Sequence, residues 1–293
     1  MKQKPISILG DIETDHNLQV GEKFNGFSEI LVIKNGEIRL FNKSGSEQTE
    51  LVPHITKVSV PNNIDVVLPG EGWANSKRIE DAKKIYGCTI PKSSWDNQTK
   101  VGKGRFTAVN ITKWNGEDIF HIPFSERAGL MRNIVDMLVK LGLPIESEQL
   151  HMGFKKQWFD YVLEQGGEGV VVKKMNGFEK DWFKVKRIKT YDVVIMGFTE
   201  ANFGKTGKFA GLIGAIRYGA YDDDGNLKFI GESSGMKDDQ RIAFSAARES
   251  YIGRVIEVHG DGVGNGGAIV FPRFVRIRDD KPATLCLVRD LHD

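Results

Sequence analysis

Five places along this chain set charged residues where they could act on a phosphate. The first is Lys23, in GEKFNGFS, between Gly21 and Gly26. A lysine attacks only as the free amine, which burial or neighbouring cations favour. Gly26 would let the backbone turn so that the amine meets a bound phosphate. The second is Glu71, in VVLPGEGWA, where a strand runs into Pro69-Gly70 and then a carboxylate between two glycines. Such a group could meet a sugar hydroxyl or a metal. The third is EGVVVKK, with Glu168 and Lys173 expected at the two rims of a buried strand. A rim glutamate can hold a divalent metal through water. In the fourth, WFKVKR, a strand would turn Lys184 and Lys186 to one face and Phe183 and Val185 to the other. Two ammonium groups on one face repel unless an anion lies between them. The fifth is FPRFVRIRDDKP, where Arg276 and Arg278 share a face and Arg273 and Lys281 add to the densest basic run of the C-terminal part. That run suits a pyrophosphate or a nucleic-acid backbone. Each place alone also fits an ordinary surface: a lysine before a hairpin, a polar turn, solvated strand ends, an edge strand guarded by charge.

The elements that must position these residues change texture along the chain. GFSEILVIKNGEIRLF reads as two strands joined by an Asn35-Gly36 hairpin turn. Asp65 to Leu68 reads as a strand ending at Pro69-Gly70, and Ser76 to Tyr86 as a helix with Ser76 as its N-cap. Phe106 to Ile111 is a strand before an Asn115-Gly116 turn. Glu126 to Leu141 and Phe154 to Gln165 carry helical spacing and stop at glycines. Gly169 to Lys174 and Trp182 to Ile188 are strands. From Tyr191 onward short strands alternate with glycine-rich turns and one helix near Lys237 to Tyr251, the texture of a small five-stranded barrel. A boundary is therefore expected near Lys189, with a mixed α/β first domain and a mostly β second one. Gly204-Lys205-Thr206 has the look of a P-loop end, but Thr199 stands where that loop requires glycine.

Composition bounds the class more than the function. The chain has 293 residues, 40% hydrophobic and 27% charged, which suits one large or two ordinary folded domains. A net charge of +2 neither supports nor excludes a nucleic-acid partner, because local basic surface decides that. Cys88 and Cys286 form no CxxC pair, which argues against a zinc ribbon and for two reduced cysteines. The N-terminus lacks a signal-peptide apolar run and no stretch approaches a membrane span. The expectation is an intracellular, soluble monomer.

Taken in order and spacing, Lys23, Glu71, EGVVVKK, WFKVKR and PRFVRIRDDKP resemble the motif series of the covalent nucleotidyltransferases. The resemblance is closer to the ATP-dependent DNA ligases of the small two-domain viral and bacterial type, and it runs from about Val20 to Pro282. It implies an α+β chain: an ATP-grasp-like nucleotidyltransferase (adenylation) domain of antiparallel sheets and helices over 1–189, then a β-barrel OB-fold domain over 190–293. It implies ATP and Mg²⁺ as the small ligands and nicked duplex DNA as the partner. In that family's terms Lys23 would carry AMP, and Glu71 would hold the ribose. Glu168 would help bind Mg²⁺, Lys184 and Lys186 would contact the α-phosphate, and Glu22 would join the nucleotide-binding set. Arg276, Arg278 and Lys281 would orient the pyrophosphate, while Arg39, Lys43 and Arg273 would meet the nucleic acid. The sequence departs from the family's Lys-x-Asp-Gly-x-Arg with Asn25 and Ser28, and it has Val109 near where an aromatic stacks on adenine. Lys43 stands where an arginine is common, a point charge in place of a fork. The zinc module of NAD⁺-dependent ligases has no counterpart, and with no separate DNA-binding domain ahead of Lys23 the two domains would grip the duplex alone. The readings left beside this one are an RNA ligase, a capping-type guanylyltransferase, and a nucleic-acid-binding relative without catalysis.

Overall fold

Two Asn-Gly pairs set the tight hairpins of the N-terminal part. Asn35 (φ 52°) and Gly36 (φ 78°) both take positive φ, as do Asn115 (φ 51°) and Gly116 (φ 82°). That is the requirement of a two-residue turn matched to the twist of the strands it joins. The computed structural model describes residues 1–201, 208–264 and 266–291, so Gly204-Lys205-Thr206 lies outside the described residues. The chain divides into two compact units, Met1–Lys186 and Arg187–Asp293.

In the first unit the strands are β1 (Lys2–Lys4), β2 (Leu18–Lys23), β3 (Phe27–Lys34), β4 (Glu37–Asn42), β5 (Val66–Trp73) and β6 (Arg105–Ala108). They continue as β7 (Lys113–Trp114), β8 (Glu117–Asp118), β9 (Glu146–Ser147), β10 (Leu150–His151), β11 (Gly169–Lys174) and β12 (Phe183–Lys186). They form a five-stranded sheet in the order β1-β12-β11-β2-β10 and a seven-stranded sheet built on β4-β3-β5-β6-β9, with β7 attached to β5 and β8 to β7. Helices α1 (Ile8–Asp11), α2 (Pro53–Thr56), α3 (Ile79–Tyr86), α4 (Pro91–Val101), α5 (Phe124–Lys140) and α6 (Lys155–Glu164) cover them. Val20, Val170, Val172 and Val185 bury one face of the smaller sheet against Leu9 of α1 and Phe159 and Val162 of α6. Leu31, Ile33, Leu68 and Phe106 bury the larger sheet against Ile85 of α3 and Met131, Ile134 and Leu138 of α5. Removing these side chains from water is the main stabilising term.

Several boundaries differ from the expectation. β5 does not end at Pro69-Gly70 but runs on through Glu71 to Trp73. Proline is tolerated there because the side of Pro69 that would carry an N–H faces the chain just past the end of β6, where its carbonyl accepts from the N–H groups of Val109 and Asn110. Helix α3 begins after Arg78 rather than at Ser76, because Lys77 takes φ 56° and Ser76 Oγ donates to Asp81 instead of capping. Helix α4 was not expected; its sequence, PKSSWDNQTKV, is polar and buries only Ser94.

The second unit contains β13 (Lys189–Glu200), β14 (Ile213–Tyr221), β15 (Leu227–Ser233), helices α7 (Asp238–Ala246) and α8 (Arg248–Tyr251), β16 (Val255–Gly260) and β17 (Arg273–Ile277). The strands form one antiparallel sheet in the order β15-β14-β13-β16-β17. Phe244 of α7 packs edge-on against Tyr251 and Phe274, closing the core. Register shifts in the β13–β14, β14–β15 and β16–β17 pairings bend the sheet. Among the described residues the expected barrel is not closed by a ladder: Ser234, just past the end of β15, meets Arg273 of β17 through a single parallel bridge. The chain as a whole is mixed α+β with mostly antiparallel sheets.

Candidate active site

Side-chain parity places four lysines on one face of the smaller sheet. In the register Gly169 lies opposite both Lys23 and Lys186, and Val171 lies opposite both Gly21 and Lys184. Directly opposed residues point to the same side, and so do residues two apart along a strand. Lys23, Lys184, Lys186 and Lys173 therefore share the face away from the Val20, Val170, Val172 and Val185 core. Lys23 is the last residue of β2, not a residue ahead of a strand as its sequence context suggested. Gly169, at φ 146°, lies so close to β12 that a Cβ would overlap Val185 O and Lys186 Cα. That approach carries the preceding residue, Glu168, to the lysines.

Glu168 joins two of them. Lys23 Nζ donates to its Oε2 at 2.5 Å, and Lys186 Nζ lies 3.4 Å from Oε1. The Lys23 side chain is 20% exposed and that of Lys186 is 8% exposed, so solvent screens the group only partly. Glu71 reaches the same group from β5 of the larger sheet. Burial pushes its carboxyl up to about 7; Lys23 opposes that rise and the charges of Glu168 and Glu148 add to it. Near neutral pH Glu71 can thus both donate and accept a hydrogen bond. Glu22 points to the opposite side of β2 from Lys23 and accepts from Lys77 Nζ at 2.7 Å. Lys77 holds its left-handed backbone conformation beside that ion pair.

Lys173 corrects the sequence expectation. It is not a strand rim but is 1% exposed, bonded to the 2% exposed Glu148 and to Val109 O, with its ammonium 4.1 Å from the Trp182 ring centroid. Its parity with Val171 was readable in the sequence, but Glu148 lies 25 residues away and carried no local signal. Arg39 pairs with Glu37 on β4, and Lys43 is exposed in the turn after it. Among the described residues neither makes an ion pair with the Lys23 group.

In the second unit the basic run is already matched by acid. Arg276 pairs with Glu257 at 2.9 Å, and Arg278 with Asp192 at 3.1 Å and Asp280 at 2.8 Å. Lys281 shares Asp192 at 2.9 Å. Arg273 is exposed at the start of β17. Asp280 is held down to about 2 by its hydrogen bonds from Arg278.

No family model matches the chain. It is 28% identical over 295 residues to a probable DNA ligase of Sorangium cellulosum, covering 87% of this chain and 53% of that protein. It is 24% identical over 310 residues to a DNA ligase of Methanocorpusculum labreanum, covering 94% and 54%. The chain thus spans about half the length of the curated relatives it matches. Among solved structures it superposes on one from a structure–function analysis of Lig E DNA ligases, said to bind DNA with a minimal scaffold. That match has a TM-score of 0.64 at 18% identity and covers 94% of this chain and 97% of the other. Among the described residues no helix is long and apolar enough to cross a membrane. Over nearly its whole length, this chain is related in sequence to proteins named DNA ligases and shares the fold of a DNA ligase of known structure.

Proposed function

We propose that this chain is an ATP-dependent DNA ligase that seals nicks in duplex DNA through AMP carried on Lys23. The observation that carries the reading is Lys23 bonded to Glu168 on a sheet face shared with Lys184 and Lys186. The relatives named DNA ligase support it from an independent direction. Lys23 leaves its ion pair and attacks the α-phosphate of ATP as the free amine. An N–P bond forms, the bond to the bridging oxygen breaks, and pyrophosphate departs. Lys184 and Lys186 offset the charge on the α-phosphate, and Glu71 meets a ribose hydroxyl. AMP then passes to the 5′-phosphate of the nick, and the 3′-hydroxyl displaces it. Positioning and charge neutralisation, rather than acid–base work, lower such barriers.

Among the described residues no three or more His, Cys, Asp or Glu gather into a metal cage. Glu168, once released from Lys23 and Lys186, would hold Mg²⁺ together with nucleotide phosphates and water, and the ion would neutralise phosphate charge. Residues 1–189 then serve as the ATP-grasp-like nucleotidyltransferase domain and 190–293 as an OB-type domain, for which the bent five-stranded sheet and its Ser234–Arg273 bridge speak. Arg276, Arg278 and Lys281 would orient pyrophosphate after exchanging their carboxylate partners, and Arg39, Lys43 and Arg273 would meet the duplex. Nothing in this reading requires a second copy.

The test is to incubate the protein with Mg²⁺ and α-labelled ATP, GTP or NAD⁺ separately, without DNA, and look for label that survives denaturation. Label from ATP alone, absent in Lys23→Ala, is the expected result. Label from GTP would move the protein to the capping-type enzymes, and none from any nucleotide would sink the covalent mechanism.

A further inference from the structure

Lys173 and Arg127, two of the fully buried cations of the first unit, have no part in the phosphate chemistry above. Lys173 Nζ donates to Glu148 and, at 2.9 Å, to Val109 O. Arg127, 1% exposed on α5, donates to Asn110 Oδ1, to Ile111 O at 3.1 Å and to Glu179 at 2.8 Å. Both therefore grip the same short segment, Val109 to Ile111, where the chain leaves β6. Within it Asn110 and Ile111 are buried, and Val109 alone is partly exposed. From the other side Pro69 O accepts the N–H groups of Val109 and Asn110.

Glu148 ties this segment to the strand of the nucleophile. Its N–H donates to Ala108 O at 2.8 Å, and its carboxylate occupies the space a side chain at position 21 would fill. Gly21 lies on β2, two residues before Lys23. One ion pair thus spans the wall at Val109, strand β11 through Lys173 and strand β2 through Gly21. For stability alone, a buried pair is often matched by apolar residues of equal volume. An apolar side chain at 173 could not hold the Val109 carbonyl or set its height above the lysine face.

We infer that Glu148 and Lys173 are positioning residues, which fix the wall around Val109 relative to Lys23 and so set how tightly the nucleotide is held beside the lysine face. The inference rests on the adenylyl-transfer reading. It assigns the pair no contact with the reacting atoms, so its loss weakens nucleotide binding more than the rate at saturation.

The test uses the whole chain with Mg²⁺ and α-labelled ATP. Lys173→Met alone would strand a buried carboxylate, so the informative variant is Lys173→Met combined with Glu148→Gln. Its thermal melt is expected near that of wild type. Its KM for ATP in lysyl-AMP formation is expected to rise about ten-fold or more, with the limiting rate changed less than about three-fold. A second variant, Gly21→Ala, keeps both charges but pushes the Glu148 carboxylate away from Lys173, and it should raise KM in the same sense by a smaller factor. A folded double variant with wild-type KM overturns the inference. If the double variant does not fold, Gly21→Ala decides: unchanged KM overturns the inference and raised KM supports it. Absence of label in wild type itself would be the failure of adenylyl transfer, seen before any variant is compared, and the inference would fall with it.

Discussion

Glu29 is a carboxyl group folded into an apolar core with no partner. It is 0% exposed on β3, on the same face as Leu31 and Ile33, and neither of its oxygens has a hydrogen-bond partner. Burial, and to a lesser degree the charge of Glu71, pushes its carboxyl from 4.5 up to about 8. The sign follows directly. Below pH 4.5 both folded and unfolded chains hold the proton, and Glu29 costs the fold nothing through ionisation. As pH rises the unfolded chain releases the proton while the folded chain keeps it, so stability falls until the folded group also ionises near pH 8. Each pH unit in that window costs about 1.4 kcal/mol, so the whole interval costs on the order of 4 to 5 kcal/mol. Replacing Glu29 with Gln removes the titration at nearly constant shape. Urea unfolding of both proteins from pH 5 to pH 9 should show a stability gap that opens in favour of Glu29→Gln at about 1.4 kcal/mol per unit and levels off above pH 8. Parallel pH profiles for the two proteins would refute the reasoning, because they would mean that Glu29 ionises as readily in the fold as outside it.

Three further outcomes are expected. Glu71→Gln should remove a second, smaller slope between pH 5 and 7, since burial raises that carboxyl to about 7; a Glu71→Gln variant whose stability falls across this window as steeply as that of wild type would contradict the assignment. Arg127→Met leaves the carbonyls of Ile111 and Ile122 without their side-chain donor and removes the cation paired with Glu179, and should cost about 3 kcal/mol in urea unfolding; a loss below about 1 kcal/mol would mean that water replaces the guanidinium. Gly169→Ala forces a Cβ onto Val185 O and Lys186 Cα at a φ that glycine alone adopts readily, so it should cut lysyl-AMP formation at least about ten-fold by moving Glu168 and Lys186, and near-normal labelling would show that the site tolerates the shift.

What the sequence disclosed was what local rules govern. Asn35-Gly36 and Asn115-Gly116 need no distant contact to turn, so both hairpins were legible. The shared face of Lys184 and Lys186 follows from strand period alone. Glu29 drew no notice in the sequence, although alternation with Leu31 and Ile33 sets it on the buried face. The strand carrying Lys23 was not: LQVGEK lacks an apolar run because one of its faces serves the site rather than a core. Lys173 looked like a rim because its partners, Glu148, Trp182 and Phe124, come from other parts of the chain. Helix α4 stayed hidden because a polar sequence with Pro91 in its first turn shows no periodic stripe.

The acid-matched basic run of the second unit has a consequence for ionic strength. Arg276, Arg278 and Lys281 hold Glu257, Asp192 and Asp280, so in the unbound protein these cations are paired with carboxylates of the same chain. A phosphate that takes one of them releases its own condensed cation, but the displaced carboxylate stays on the protein and gathers a cation in turn. The net release of ions, whose dilution drives most protein–polyanion binding, is then smaller for each contact. Polyanion affinity through this surface should fall less steeply with added salt than a count of its arginines and lysines gives, and Asp192→Asn, by baring Lys281 and leaving Arg278 to Asp280, should steepen that dependence.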